Sequence, residues 1–165
     1  MSDLFKILCQ DETDLGLFGI CDDKPHQRAY IDNSDGQKWT AVISNKFNRK
    51  IVFTALDNSI EFNKANGKSE SRCEGILTYE ETIIFIEIKE RTGDAKTWAR
   101  KADTQLRNSI SIVLAKVDLD IFTNKKAYIC NRHQKNLNES HAVRTKKFQN
   151  ETGFILRVDK RINIE

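Results

Sequence analysis

The stretch Thr82-Ile-Ile-Phe-Ile-Glu-Ile-Lys89 decides the reading of this chain. Its first five residues are β-branched or aromatic, too short and too apolar for an amphipathic helix, and they predict a central strand buried on both faces. Upstream, Arg72-Cys-Glu-Gly-Ile-Leu-Thr-Tyr79 has the same character, and Glu80-Glu81 between the two runs predicts a tight antiparallel hairpin. Downstream, Gly93-Asp94 offers a break and an N-cap. From there to Lys116, Trp98, Ala102, Leu106, Ser109 and Val113 recur at helical spacing, the stripe of a helix lying on a sheet.

Beyond the helix, Lys126 to Asn131 reads as a strand, Ser140 to Asn150 as a basic second helix, and Phe154 to Val158 as a last strand after Gly153. On the other side, Trp39 to Ser44 and Ile51 to Leu56 are short β-rich runs, and the polar Asn45 to Lys50 between them suits a hairpin. The order predicts an α/β fold, a mixed β-sheet flanked by α-helices, with residues 82 to 131 as its strand, helix and strand crossover. The first 38 residues form an extension of unread role, holding the apolar Leu4 to Leu8, an acidic stretch, and the loop-like Cys21-Asp-Asp-Lys-Pro-His26. No Pro-, Gly- or Ser-rich stretch divides the chain, so residues 1–165 read as one domain.

Composition bounds the function. The 165 residues are 39% apolar and 31% charged, enough for a core without disulfides or a structural metal and too apolar for disorder. No apolar run approaches the ~20 residues that span a bilayer, and the start of the chain lacks a secretion signal; both point to a cytoplasmic protein with no membrane partner. Cys9, Cys21, Cys73 and Cys130 make no CxxC pair, so reduced thiols are expected, with Cys73 and Cys130 buried in strands. His26, His133 and His141 show no ligand spacing, and neither a phosphate-binding glycine loop nor a GxSxG elbow occurs. The net charge of +3 is uneven: Met1 to Glu90 carry 16 acids against 11 bases, a net of −5, and Arg91 to Glu165 carry 16 bases against 8 acids, a net of +8. A basic half is the footprint of a polyanion or a solvated surface whose signs segregate along the chain.

A period of two puts Glu87 and Lys89 on one strand face, and a turn at Glu80-Glu81 brings Glu74 opposite Glu87. Two carboxylates beside a lysine suit a hard divalent ion such as Mg2+ or Mn2+. The lysine can orient or help deprotonate a metal-associated water and neutralise phosphate charge. The alternative is a surface cross-strand ion pair. The triplet also occurs at Asp22-Asp-Lys24, in a proline-containing loop, and at Asp94-Ala-Lys96, where a helix opens, so context separates the three.

Cys73-Glu-Gly-Ile-Leu77, Phe85-Ile-Glu-Ile-Lys89 and a following helix with Gln105 resemble the PD-(D/E)xK nuclease-like superfamily, whose fold is the restriction-endonuclease-like one. The resemblance covers residues 72 to 116. It implies that Glu74 and Glu87 are metal ligands, Lys89 the water-activating residue and Gln105 an auxiliary polar group. Glutamate stands at 74 where that family usually has aspartate, and Ser109 where its exonuclease branch often has tyrosine. The expected function is metal-dependent hydrolysis of nucleic-acid phosphodiesters, DNA ahead of RNA. The alternative is a catalytically inactive module of the same fold that binds nucleic acid or a partner protein; a homodimer is also compatible with the sequence. Lys96, Arg100, Lys101, Arg107, Arg144, Lys146 and Lys147 are candidates to track a phosphate backbone, or they are ordinary solvated helix faces. Trp98 lies on the apolar stripe and reads as core, and Gln105 also reads as a glutamine on an exposed helix face.

Overall fold

A computed structural model describes residues 9–23, 27–57, 71–90, 93–133 and 141–165. The Leu4 to Leu8 segment, Lys24 to His26, the polar stretch holding Asn66-Gly67 that the sequence reads as a loop, and Ser140 lie outside the described residues. Among those described, ten strands and two helices follow in chain order: β1 (Gln10–Thr13), β2 (Leu17–Cys21), β3 (Tyr30–Asp32), β4 (Ala41–Ser44), β5 (Ile51–Ala55), β6 (Gly75–Tyr79), β7 (Thr82–Lys89), α1 (Ala95–Leu114), β8 (Asn124–Asn131), α2 (His141–Thr152), β9 (Ile155–Val158) and β10 (Arg161–Asn163).

They form two sheets. The larger runs β1-β5-β6-β7-β8-β9, antiparallel from β1 to β7 and parallel from β7 to β9. The smaller runs β10-β4-β2-β3. β7 is buried from Thr82 to Ile88, as its apolar run predicts, and the chain leaves it through α1 to return in the parallel neighbour β8. The N-cap at Asp94 is present: its Oδ1 accepts from Lys96 N at 3.2 Å and its Oδ2 from Thr97 Oγ1 at 2.8 Å. The five stripe residues of α1 are all buried.

The alternation along β7 sorts its side chains between two cores. Ile83 and Phe85 pack with Trp98, Leu106, Val113 and Phe148, so both helices cover one face of the large sheet. Ile84, Ile86 and Ile88 pack with Phe18, Ile20, Ile43, Phe53 and Ile162, most of them from the small sheet. Each fully buried Ile or Phe contributes about 1.5–3 kcal/mol. Phe85 meets Phe154 edge to face at 5.4 Å between centroids.

Two expectations are corrected. Among the described residues helices cover only one face of the large sheet; its second face is covered by another sheet, to which the unread N-terminal extension contributes β2 and β3, while β1 forms an edge of the large sheet. Nor do the runs around residues 39–44 and 51–56 form a hairpin, because β4 and β5 belong to different sheets. The reason lies in Asn45, which is fully buried: its Nδ2 donates to Leu15 O (3.1 Å) and Arg49 O (2.9 Å), and its Oδ1 accepts from Arg49 N (3.0 Å). With Asn48 at φ 50°, this fixes a corner that carries the chain from one sheet to the other.

Candidate functional site

The site is built where β7 ends and the chain enters β6. The ladder pairs Gly75 with Ile86, and one step further the same register sets Glu74 against Glu87, as the sequence predicts. Glu74 itself sits in a bend just ahead of β6 rather than within it. Gly75 is required here by close approach: a Cβ would lie 2.6 Å from the Phe53 ring, so any side chain would push the lead-in, and Glu74 with it, off the sheet.

Glu87 and Lys89 continue the helix-facing parity of Ile83 and Phe85, and α1 therefore roofs them. The surface ion-pair reading fails on burial: Glu87 is 0% exposed and Glu74 7%. The Lys89 ammonium is ion-paired with Glu87 Oε1 and donates to Gln105 Oε1 at 2.6 Å. Apart from that ion pair, neither Glu87 oxygen has a hydrogen-bond donor among the described residues. Gln105 is thus not a solvated helix residue. Its Nε2 donates to Arg72 O at 3.0 Å, so one side chain ties Lys89 to the segment that precedes Glu74. Asn108 Nδ2 donates to Ser71 O at 3.3 Å, and Ser109 Oγ accepts from Cys73 N at 2.8 Å. At Ser109, where the resemblance points to tyrosine, the hydroxyl therefore holds the backbone one residue before Glu74.

Burial pushes the Glu74 carboxyl up to about 9, helped by the charges of Glu87, Asp22 and Asp57 and opposed by Lys89. Burial pushes Glu87 up to about 7, against the lowering effect of Lys89. Asp22 is also raised, by burial first and then by Asp57, Asp23 and Glu90. Asp22 and Asp57 thus share the electrostatic neighbourhood of the pair, and sequence reasoning missed both. Asp22 stands in a loop, in a triplet whose proline-containing context separates it from the one at Glu87; Asp57 follows β5, and its only sequence signal is its place after an apolar run. The backbone brings it close, because Leu56 N donates to Glu74 O at 2.9 Å. Among the described residues, no three His, Cys, Asp or Glu side chains stand close enough to form a ready-made metal cage.

Beside the lysine opens a cleft of about 450 Å3 lined by Lys89, Glu90, Gly93, Asp94, Thr97, Trp98 and Lys101. Glu90 accepts from Thr40 Oγ1 at 3.4 Å, just ahead of β4 in the small sheet, and from Arg132 Nη1 at 3.2 Å, just after β8 in the large one. The basic residues singled out in the sequence do not make one track. Lys101 borders this cleft, whereas Arg100, Arg107, Arg144 and Lys147 line a separate groove between α1 and α2. Lys96 is exposed in the first turn of α1, and Lys146 is exposed on α2 beside that groove, sharing Val143, Lys147 and Glu151 with it. Trp98 is 5% exposed and part of the helix-facing core, as its stripe position predicts. Cys73 and Cys130 are buried and all four cysteines are free; Cys73 precedes β6 rather than lying in it.

No protein-family model matches the chain, and searches of curated proteins and of solved structures find no match.

Proposed function

We propose that the protein hydrolyses phosphodiester bonds of nucleic acid with a divalent cation, using Glu74, Glu87, Lys89 and Gln105. One observation carries this reading: Glu87 is completely buried at the end of an apolar strand, opposite a second buried carboxyl, with an oxygen that no protein donor satisfies among the described residues. Burying two acids against one lysine is costly unless a cation or protons balance them. Two hard oxygen donors fit Mg2+ or Mn2+, which takes one or two carboxylates and leaves water and substrate phosphate to complete its shell. Glu74 and Glu87 would hold that ion, which when bound supplies Lewis-acid polarisation of the phosphate. Lys89 is placed to orient a water and offset charge developing on the phosphate oxygens. Gln105 fixes the ammonium, so its direction is set before substrate arrives. DNA is preferred over RNA as the substrate, and the restriction-endonuclease-like arrangement of β5 to β9 is part of the proposal.

The test is incubation with Mg2+ or Mn2+ and labelled single-stranded, duplex and branched DNA and RNA. Metal-dependent cleavage is expected, falling at least about 100-fold in Glu87→Ala and Lys89→Ala while circular dichroism is retained. Intact substrates under all these conditions overturn the reading.

One observation favours the second reading, an inactive module of the same fold. The Lys89 ammonium is already engaged by Glu87 and Gln105, an arrangement complete without substrate. Metal-independent binding of nucleic acid or a partner protein that survives Glu87→Ala, with no cleavage, would select it.

A further inference from the structure

The flank of α1 that faces away from Lys89 turns toward α2, and the groove between the helices measures about 550 Å3. Its walls carry Arg100, Arg107, Arg144 and Lys147 against the acids Asp103 and Glu151. Both acids are taken by the same residue: Arg107 pairs with Asp103 one turn back and with Glu151 on α2. The Arg107 guanidinium also lies 4.8 Å from the Phe148 ring centroid. Arg107 is therefore a strut between the helices, and Arg100, Arg144 and Lys147 line the groove beside acids that Arg107 already occupies. Arg144 Nη1 is buried and meets no acceptor among the described residues. A guanidinium N–H removed from water without an acceptor is unfavourable, and the same N–H directed at a phosphate makes a short, charge-assisted bond.

We propose that this groove binds a phosphate of a nucleic-acid chain at a point separate from the acidic site, with Arg144 as the anchor and Arg100 and Lys147 as supporting cations. The proposal rests on the reading above for the nature of the chain, and not for whether the chain is cut. Helix α1, about 10 Å across, stands between groove and cleft, with exposed Lys101 on the cleft side. A strand that touches both must pass over the helix. A mononucleotide reaches only one of them.

The experiment is fluorescence anisotropy of labelled single-stranded oligonucleotides of about 6 and about 20 nucleotides across a salt series. It compares the intact chain with Arg144→Gln, Lys147→Glu and the control Lys46→Gln. Each groove variant is expected to weaken the longer oligonucleotide at least about threefold and to lower its salt slope by about 0.7 for each phosphate that is no longer neutralised. The shorter one should change less, and Lys46→Gln, at an exposed cation between β4 and β5, should leave the salt slope of the longer one unaltered. Lys147→Glu replaces an exposed side chain, so it keeps the test valid if Arg144→Gln perturbs folding. Unchanged affinity and slope in both groove variants overturn the proposal. So does displacement of the longer oligonucleotide by an equal concentration of inorganic phosphate, which would mark a free-phosphate site, or groove-dependent binding of polyglutamate without binding of oligonucleotide. Absence of cleavage with a groove-dependent salt slope would defeat the nuclease reading and leave the groove standing.

Discussion

The two flanks of helix α1 use polar side chains in opposite ways. On the flank toward β6 and β7, Gln105, Asn108 and Ser109 each meet a protein partner, and together they hold Ser71 to Cys73 and Lys89. On the flank toward α2, cations outnumber acids, and a buried arginine N–H has no acceptor among the described residues. The first flank is a positioning surface whose bonds are internal. The second is unsaturated and open to an anion from outside the chain. Charge count along the sequence cannot make this distinction, because Lys101 and Arg100 are neighbours in sequence and face different openings.

Relieving the burial cost that the positioning flank sustains should change the protein most. Glu74 and Glu87 are raised from 4.5 to about 9 and about 7 in the folded protein, so between pH 4.5 and 9 the folded state binds more protons than the unfolded one. Stability of the metal-free protein should fall as pH rises through that window. Glu74→Gln should flatten the fall and stabilise the protein at pH 8 by about 1–3 kcal/mol, read from urea midpoints at several pH values. A stability that rises from pH 5 to 8 would show that the carboxyls are not held at such a cost.

Next in size is Ser109→Ala, which leaves the buried Cys73 N–H without an acceptor and should destabilise by about 1–2 kcal/mol. A change below about 0.5 kcal/mol would mean that α1 does not hold the lead-in to Glu74. Gln105→Ala should reduce metal-dependent cleavage about 10-fold, mainly in kcat, with Gln105→Glu, which keeps an acceptor for Lys89, recovering part of it. A loss confined to KM would remove Gln105 from the positioning role. The smallest effect sharpens the other flank: Arg107→Ala should cost about 1 kcal/mol by removing its ion pairs and its stacking on Phe148. Arg144→Met should change stability by less than about 0.5 kcal/mol, since its inner N–H has no bond to give up.

Legibility follows the range of the interactions. β7 and α1 are readable because an apolar run and a 3.6-residue stripe are local signals, and the Glu74–Glu87 register follows from one tight turn. Gln105 is readable as a candidate only through family resemblance; its helical position marks it as flanking Leu106 and does not reveal that it bridges Lys89 and Arg72. The small sheet is not readable. Its strands are three to five residues long and join residues far apart in sequence, and adjacency misleads where Ala41–Ser44 and Ile51–Ala55 look like a hairpin. Asp22 and Asp57 escape for the same reason, since each flanks a strand end and only the stacking of two sheets gives them a common neighbourhood.

Strand β10 pairs in parallel with β4, Arg161 beside Val42, although only Asp159 and Lys160 separate it from β9 in the other sheet. A ribosome therefore releases β4 long before the strand that completes its sheet has been made. Until then, Ile43 lacks Ile162 beside it, and that edge is open to chance pairing. Closing so long a loop is entropically late, which predicts a slow final folding phase read by hydrogen-exchange protection of Val42 N–H, which donates to Lys160 O at 2.8 Å, and of Ile164 N–H, which donates to Ser44 O at 2.9 Å. The strand that closes the small sheet is thus made well after the partner it pairs with.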